Sequence, residues 1–323
     1  MKAILYHNYG SPDILQIADV EQPAPKDNEV LIKVRAASVN PFDWHFMRGT
    51  PYVLRLFAGL RKPKDTRLGA DVAGLVEAVG KNVMQFKPGD EVFGSCRGAF
   101  AEYACASESA LVIKPDNLTF EQAASVPIAA LTALQGLRNN GHIQSGQHIL
   151  INGAAGSVGT FAVQIARSFG ANVTAVCSTR NVDMVRSIGA DQVVDYTRED
   201  FTKGGKCYDL IFDTVGNHSL SAYKRVLNPG GIHVGAGGQA DLWMIRTLGH
   251  AFKTLLVSTF GSRKFVGFLA KINKDDLTII QGLMKSGKVV PVIDRCYELI
   301  EVPKAIRYLE EGHARGKVVI TME

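Results

Sequence analysis

The stretch His148–Gly159, HILINGAAGSVG, constrains what this chain can fold into more than any other. A short aliphatic run enters a glycine-rich turn, and small and apolar residues (Thr160–Arg167) follow at helical spacing. The same grammar continues downstream. Strands are expected over Asn172–Cys177, Gln192–Asp195, Asp209–Asp213 and Ile232–Gly235, and helices over Gly156–Phe169 and Asp183–Ile188. Strand and helix alternating at this spacing imply βαβ units and a doubly wound parallel sheet.

The core of the turn is Ala154-x-Gly156-x-x-Gly159, a dinucleotide-binding fingerprint with alanine in the first glycine place. Gly156 lets backbone approach a pyrophosphate, and Gly159 lets helix and strand pack closely. The backbone of Ala155, Gly156, Ser157 and Val158, at a positive helix end, is the expected phosphate cradle. The next strand bears on the choice of cofactor. A carboxylate about twenty residues on would accept the ribose 2′-hydroxyl of NAD, but Val173–Arg180 ends in Ser178, Thr179 and Arg180 with no acid. A hydroxyl and a guanidinium suit a 2′-phosphate, so NADPH is expected. Tyr196, after the third strand, either closes over that region or is an ordinary half-buried edge tyrosine. Val215 and Gly216, and Ala236 and Gly237, follow later strands at their carboxyl ends, where a dinucleotide crosses such a sheet.

The first third has a different texture. Residues 1–6, 30–39 and 72–79 read as strands, and Lys87-Pro-Gly-Asp90 as a turn, which suggests an antiparallel or barrel-like domain. Phe120–Arg138 is helical in spacing, interrupted by Pro127. After about Lys271 come two helices, Lys274–Lys285 and Val302–Glu311, and a strand, Lys317–Met322, expected to return to the first domain. The expected division is 1–122 with 271–323, and 123–270 as an inserted nucleotide domain.

Composition removes several classes. With 323 residues, 46% hydrophobic and 21% charged, the chain can bury two ordinary cores. A net charge of +5 without a basic run gives no reason to expect nucleic acid. Neither a signal peptide nor a membrane span is expected. Five scattered cysteines suit a reducing compartment, and a cytoplasmic location is expected.

Beyond the turn, the chain carries Ala37-Ser-Val-Asn-Pro-Phe-Asp43, Gly69-Ala-Asp-Val-Ala-Gly74, Lys87-Pro-Gly-Asp-Glu-Val-Phe-Gly94, Gly98-Ala-Phe-Ala-Glu-Tyr103, Gly189-Ala-Asp191 and Gly316-Lys-Val-Val319. With these it resembles the medium-chain dehydrogenase/reductase superfamily over essentially its whole length. It is most similar to the zinc-free quinone oxidoreductase branch, of the chloroplast-envelope and bacterial enone-reductase type. The resemblance implies a GroES-like β-rich catalytic domain beside a Rossmann domain. It also implies NADPH-dependent reduction of quinones or of the C=C bond of α,β-unsaturated carbonyls.

In the family's alcohol dehydrogenases a cysteine and a histidine hold the catalytic zinc. The matching places here are Asn40 and Ala70, and the four-cysteine structural lobe is reduced to Cys96 and Cys105. The resemblance places Asn40 and Thr132 beside the nicotinamide, with Asn40 able to donate a hydrogen bond to a developing enolate. His45 and Tyr52 fall in the segment lining the family's substrate cleft. His45 is a candidate proton donor, with protonation by water as the competing account. Asp43, inside a turn-like stretch, reads as structural. Arg315 and Lys317 are candidates for phosphate contact or for solvated surface charge. Residues 240–265, with Trp243, Met244, Leu248, Phe252 and Leu256, fit neither domain pattern. They are open to use as packing, a lid, a dimer contact or a peripheral membrane patch, and the chain is read as monomer or homodimer. The alternative to an enzyme is a non-catalytic NADPH-binding protein of crystallin-like or nucleic-acid-binding type.

Overall fold

In the computed structural model, which describes residues 1–236 and 262–322, the chain divides into two compact units. The first comprises Met1–Leu131, Ile272–Gly287 and Pro291–Glu323. The second comprises Thr132–Lys271 and Lys288–Val290. The inserted unit thus begins nine residues later than the expected 123. The short helix α3 (Phe120–Ala124) lies on strands of the first unit rather than opening the second.

The first unit is built from β1 (Lys2–Leu5), β2 (Gln16–Asp19), β3 (Glu29–Val39), β4 (Asp71–Val79), β5 (Glu91–Ser95), β6 (Tyr103–Ser107) and β7 (Leu111–Ile113). Helices α1 (Pro41–Arg48), α2 (Arg55–Ala58) and α3 interrupt them. The strand β3 is the hub: it pairs antiparallel with both β4 and β6. Its inward positions Ile32 and Val34 join Ile4, Val72, Phe100 and Leu111 in the core, each at most 3% exposed.

The helical stretch breaks as expected, ending at Ala124 and restarting with Pro127 as the first residue of helix α4 (Pro127–Gln135), within which the second unit begins. Its strands are β8 (His148–Asn152), β9 (Asn172–Cys177), β10 (Gln192–Asp195), β11 (Tyr208–Asp213), β12 (Leu227–Gly235) and β13 (Lys264–Gly267). All pair in parallel, in the order β10-β9-β8-β11-β12-β13, with helices α5 (Ser157–Ser168), α6 (Val182–Ser187) and α7 (Leu220–Val226). That is the doubly wound order, in which the direction of strand addition reverses between the first and fourth strands, β8 and β11. Strand β13 begins at the end of the stretch 240–265 that matched neither pattern and runs two residues past it. Trp243, Met244, Leu248, Phe252 and Leu256 lie outside the described residues, as does Gly237.

The chain closes with the helices Lys274–Lys285 and Val302–Glu310 and the strands β14 (Ile293–Glu298) and β15 (Lys317–Thr321). As expected for the final strand, β15 returns to the first unit, antiparallel to β3 with Val318 opposite Val39. No helix among the described residues is long and apolar enough to cross a membrane.

Candidate active site

Strand register builds the polar centre of the first unit. Strands β15, β3 and β4 are neighbours, with Val318 opposite Val39 and Ser38 opposite Asp71. Lys317 therefore meets Asn40 and Asp71, although it follows them by 277 and 246 residues in the chain. All three are buried, at 1%, 2% and 0% exposure. Lys317 Nζ donates to Asn40 Oδ1 at 2.5 Å and to Asp71 Oδ2 at 3.0 Å. Asn40 Nδ2 donates to Asp71 Oδ2 at 2.9 Å and to Ser38 O at 3.3 Å. Asp71 Oδ1 accepts from the Ile128 N–H at the start of α4, and the Ser38 hydroxyl adds a further bond to Oδ2. A buried carboxylate with four donors, one of them an ammonium, is a satisfied ion, as burial requires.

This geometry corrects two sequence expectations. Lys317 is neither a surface charge nor positioned as a phosphate ligand, because its ammonium is enclosed with Asp71. Asn40 is already engaged: one amide proton is committed to Asp71 and the other rests on the longer contact to Ser38 O. Any donation to an acceptor oxygen must draw on that second proton. Asp43 caps α1: its Oδ2 accepts the Asn40 N–H and its Oδ1 accepts the Gly69 N–H. This is the structural use expected of it. Burial pushes its carboxyl up to about 7, against those two donors.

His45 and Tyr52 stand apart from this cluster's hydrogen bonds. His45 Nδ1 lies 3.0 Å from Thr50 O, and since a carbonyl only accepts, that nitrogen carries the proton. Tyr52 is 73% exposed, its ring 4.8 Å from the Arg55 guanidinium. Phe42, Leu56 and Phe57 are more than half exposed on the same segment, giving it an apolar surface. Arg315 is exposed, and its backbone N–H donates to Asp294.

In the second unit the glycine-rich turn joins β8 to α5. A Cβ at Gly159 would lie 2.1 Å from Gly153 O and 2.7 Å from Ala154 Cα, so helix and strand pack too closely for any side chain. A Cβ at Gly156 would meet only Gly153 O, at 3.5 Å. The space in front of Gly156 is open, and α5 begins there without a side-chain cap. Backbone N–H groups of Ser157 and Val158 are thus left at a positive helix end, and Ala155 is buried beneath the turn. Thr132 lies on α4, where this unit begins.

At the carboxyl end of β9, Arg180 is exposed and Ser178 half-buried. Ser178 Oγ accepts from Asn181 Nδ2 at 3.2 Å, which leaves its own hydroxyl proton to donate. Asn181 Oδ1 is buried and lacks a hydrogen-bond partner among the described residues. Thr179 behaves differently from expectation: its hydroxyl donates to Asp195 Oδ2 at 2.5 Å. That hydroxyl is spent on a carboxylate supplied by the neighbouring strand β10, which inspection of β9 alone could not reveal. The Thr179 and Thr197 hydroxyls hold the Asp195 carboxyl below its ordinary range. Tyr196 is 60% exposed, its N–H tied to Cys177 O.

A group the sequence reading did not single out shapes the turn after β11. Asp213, 2% exposed, accepts from the N–H groups of Val215 and Gly216 and from Asn152 Nδ2, while His233 Nε2 lies 3.3 Å from its other oxygen. Gly216 sits at φ +70° and Ala236 N donates to Asp213 O, so Val215, Gly216 and Ala236 are all arranged by this residue. Burial raises the Asp213 pKa, but bonds from His233, Tyr223 and Gly216 outweigh it and hold it at about 2. An aspartate ending a strand just before Thr214-Val-Gly216 was the available signal.

A GroES-like antiparallel unit carrying an Asn40 centre, with a Rossmann unit inserted, defines a dehydrogenase/reductase of the medium-chain class. Family profiles agree: residues 26–116 match the alcohol dehydrogenase GroES-like domain and residues 188–320 match a zinc-binding dehydrogenase. The chain is 36% identical to 2-methylene-furan-3-one reductase of Solanum lycopersicum, spanning 99% of this chain and 79% of that one. It is 35% identical to the chloroplastic NADPH-dependent alkenal/one oxidoreductase of Arabidopsis thaliana, spanning 99% and 79%. The solved quinone oxidoreductase of Coxiella burnetii superimposes with a TM-score of 0.86 at 31% identity, covering 100% and 99%. The chain belongs to the medium-chain dehydrogenase/reductase superfamily, in its quinone oxidoreductase and enone reductase branch.

Proposed function

We propose that this protein is an NADPH-dependent reductase of quinones or of the C=C bond of α,β-unsaturated carbonyls, working without zinc. The observation that carries this reading is the make-up of the Asn40 centre. Where zinc dehydrogenases place a thiolate and an imidazole, this chain sets an amide, a carboxylate and an ammonium. An ammonium bonded to both Asn40 and Asp71 repels a second cation, and neither an amide nor Ala70 is a strong zinc ligand. Among the described residues no cluster of three His, Cys, Asp or Glu side chains suits a metal. Lacking a Lewis acid, a reductase favours acceptors whose own conjugation carries the incoming charge.

The residues of the second unit fit NADPH. The open face of Gly156 and the uncapped start of α5 suit a pyrophosphate. Ser178 and Arg180 suit a 2′-phosphate, and Asp213 fixes the Val215–Gly216 turn. Bound there, NADPH supplies a hydride. In the first unit, Asn40 offers its second amide proton to an acceptor oxygen, and the apolar faces of Phe42, Leu56 and Phe57 suit a hydrophobic acceptor. The five free cysteines suit a reducing, cytoplasmic setting.

Steady-state turnover with NADPH against a panel of alkenals, alkenones, quinones and saturated alcohols tests the reading, together with elemental analysis. Turnover of conjugated acceptors without stoichiometric zinc is expected. Efficient alcohol oxidation, or about one zinc per chain with activity lost to chelation, would overturn it.

A further inference from the structure

We propose that Lys317, clamped to Asp71, positions the Asn40 carboxamide for the reaction. This deepens the functional reading above and rests on it. A side-chain amide presents an oxygen on one edge and two protons on the other, and nothing in its shape decides which way it faces. Here two ions decide. An ammonium only donates, so Lys317 claims Oδ1. A carboxylate only accepts, so Asp71 claims Nδ2. The two ions are themselves paired at 3.0 Å with side chains 2% and 0% exposed, so neither can swing away into water.

The consequence is an amide with one edge locked and one proton in reserve. The bonds to Lys317 and Asp71, at 2.5 and 2.9 Å, set the orientation. The remaining Nδ2 proton sits on Ser38 O at 3.3 Å, the longest contact of the three. That is the proton an acceptor oxygen can draw off at least cost. Asp71 has a further hold on Ser38 through the hydroxyl at 3.0 Å, so the competing acceptor is itself fixed. Chain topology makes the arrangement rigid, because Lys317, Asn40 and Asp71 stand on or directly beside three hydrogen-bonded neighbouring strands. Lys317 touches no acceptor in this account; it acts through Asn40.

The test uses the full chain. Lys317→Met alone strands a buried carboxylate and can simply unfold the protein. The primary variant is therefore the double substitution Lys317→Met with Asp71→Asn, which removes both charges together. Asp71→Asn alone, an isosteric change after which the buried Lys317 can shed its proton to become a neutral amine, decides the matter should the double variant not fold. Two readouts are taken. The first is hydrogen exchange of the Asn40 side-chain amide by nitrogen-15 NMR, its signal assigned by its loss in Asn40→Asp. The second is kcat, KM and NADPH affinity on whichever acceptor the wild type turns over.

Asn40 amide exchange should accelerate at least about tenfold, by loss of its charged partners. Turnover kcat should fall by about 100-fold, as for a misplaced reacting group, while NADPH affinity changes by less than about twofold. A folded variant with unchanged Asn40 exchange, or with wild-type kcat, overturns the proposal. A wild type inert toward every acceptor instead fails the functional reading, and the exchange measurement still decides whether Lys317 and Asp71 orient the amide.

Discussion

The Asn40 centre and the glycine-rich turn at Gly156 solve opposite problems. In the first, every polar group is satisfied inside the protein: ammonium, carboxylate, amide and hydroxyl close on one another beneath about 2% exposure. In the second, backbone donors face outward: a helix without a side-chain cap and an open face at a glycine. A centre that must hold an orientation against thermal motion benefits from closure, since buried ions tolerate no slack. A surface that must receive a phosphate benefits from unpaired donors, which a ligand completes. Damage to the first should therefore appear as lost stability, and damage to the second as lost affinity in a folded protein.

The sharpest break of that contrast is Lys317→Met. It should cost about 3–5 kcal/mol of stability, because Asp71 is left buried and uncompensated. Urea unfolding checks this, and a cost below about 1 kcal/mol would mean the centre is less closed than its geometry says. Within the turn itself, Gly159→Ala and Gly156→Ala divide the two behaviours. The Gly159 change drives a Cβ against the Gly153 carbonyl and should cost up to about 3 kcal/mol of stability. The Gly156 change should leave the melting temperature nearly unmoved yet weaken NADPH, read by calorimetry on the same samples.

Arg180→Ala should weaken NADPH by roughly 1.5–3 kcal/mol, with NADH nearly untouched and stability preserved. Equal losses for both cofactors would place Arg180 on the shared part of the dinucleotide. The smallest effect concerns pH. Asp213 is held at about 2, below the 3.8 of an unfolded aspartate. Its contribution is fully present above about pH 4 and is lost as pH falls toward 2. The protein should lose up to about 2 kcal/mol over that window, and Asp213→Asn should lose less. Acid unfolding of the two side by side measures the difference.

Much of the second unit was legible because its signals are local. The strands over Asn172–Cys177 and Gln192–Asp195 fall at the residues expected, as does the helix over Lys274–Lys285 in the first unit. Hydrophobic period and turn chemistry act over a few residues, so the sequence declares them directly. Strand β13 was missed because four residues, Lys-Phe-Val-Gly, carry too little period to stand out from apolar surroundings. Thr179 was misjudged for a related reason. The carboxylate that takes its hydroxyl belongs to the next strand, and parallel pairing brings Asp195 level with Cys177.

The sequence by itself determined that the chain would carry a parallel nucleotide-binding sheet, entered through a glycine-rich turn. Those properties follow from backbone conformation and short-range packing, which neighbouring residues dictate. Only the tertiary structure decided what the charges do. Lys317 read as surface charge or phosphate ligand became the buried partner of Asp71, and Asn40 became an amide with a fixed edge. Neither outcome is written near those residues. The lysine and the asparagine are 277 positions apart, and only strand pairing through β3, β4 and β15 brings them within bonding distance. An ion's role is set by whichever opposite charge shares its low-dielectric surroundings, and folding alone chooses that neighbour.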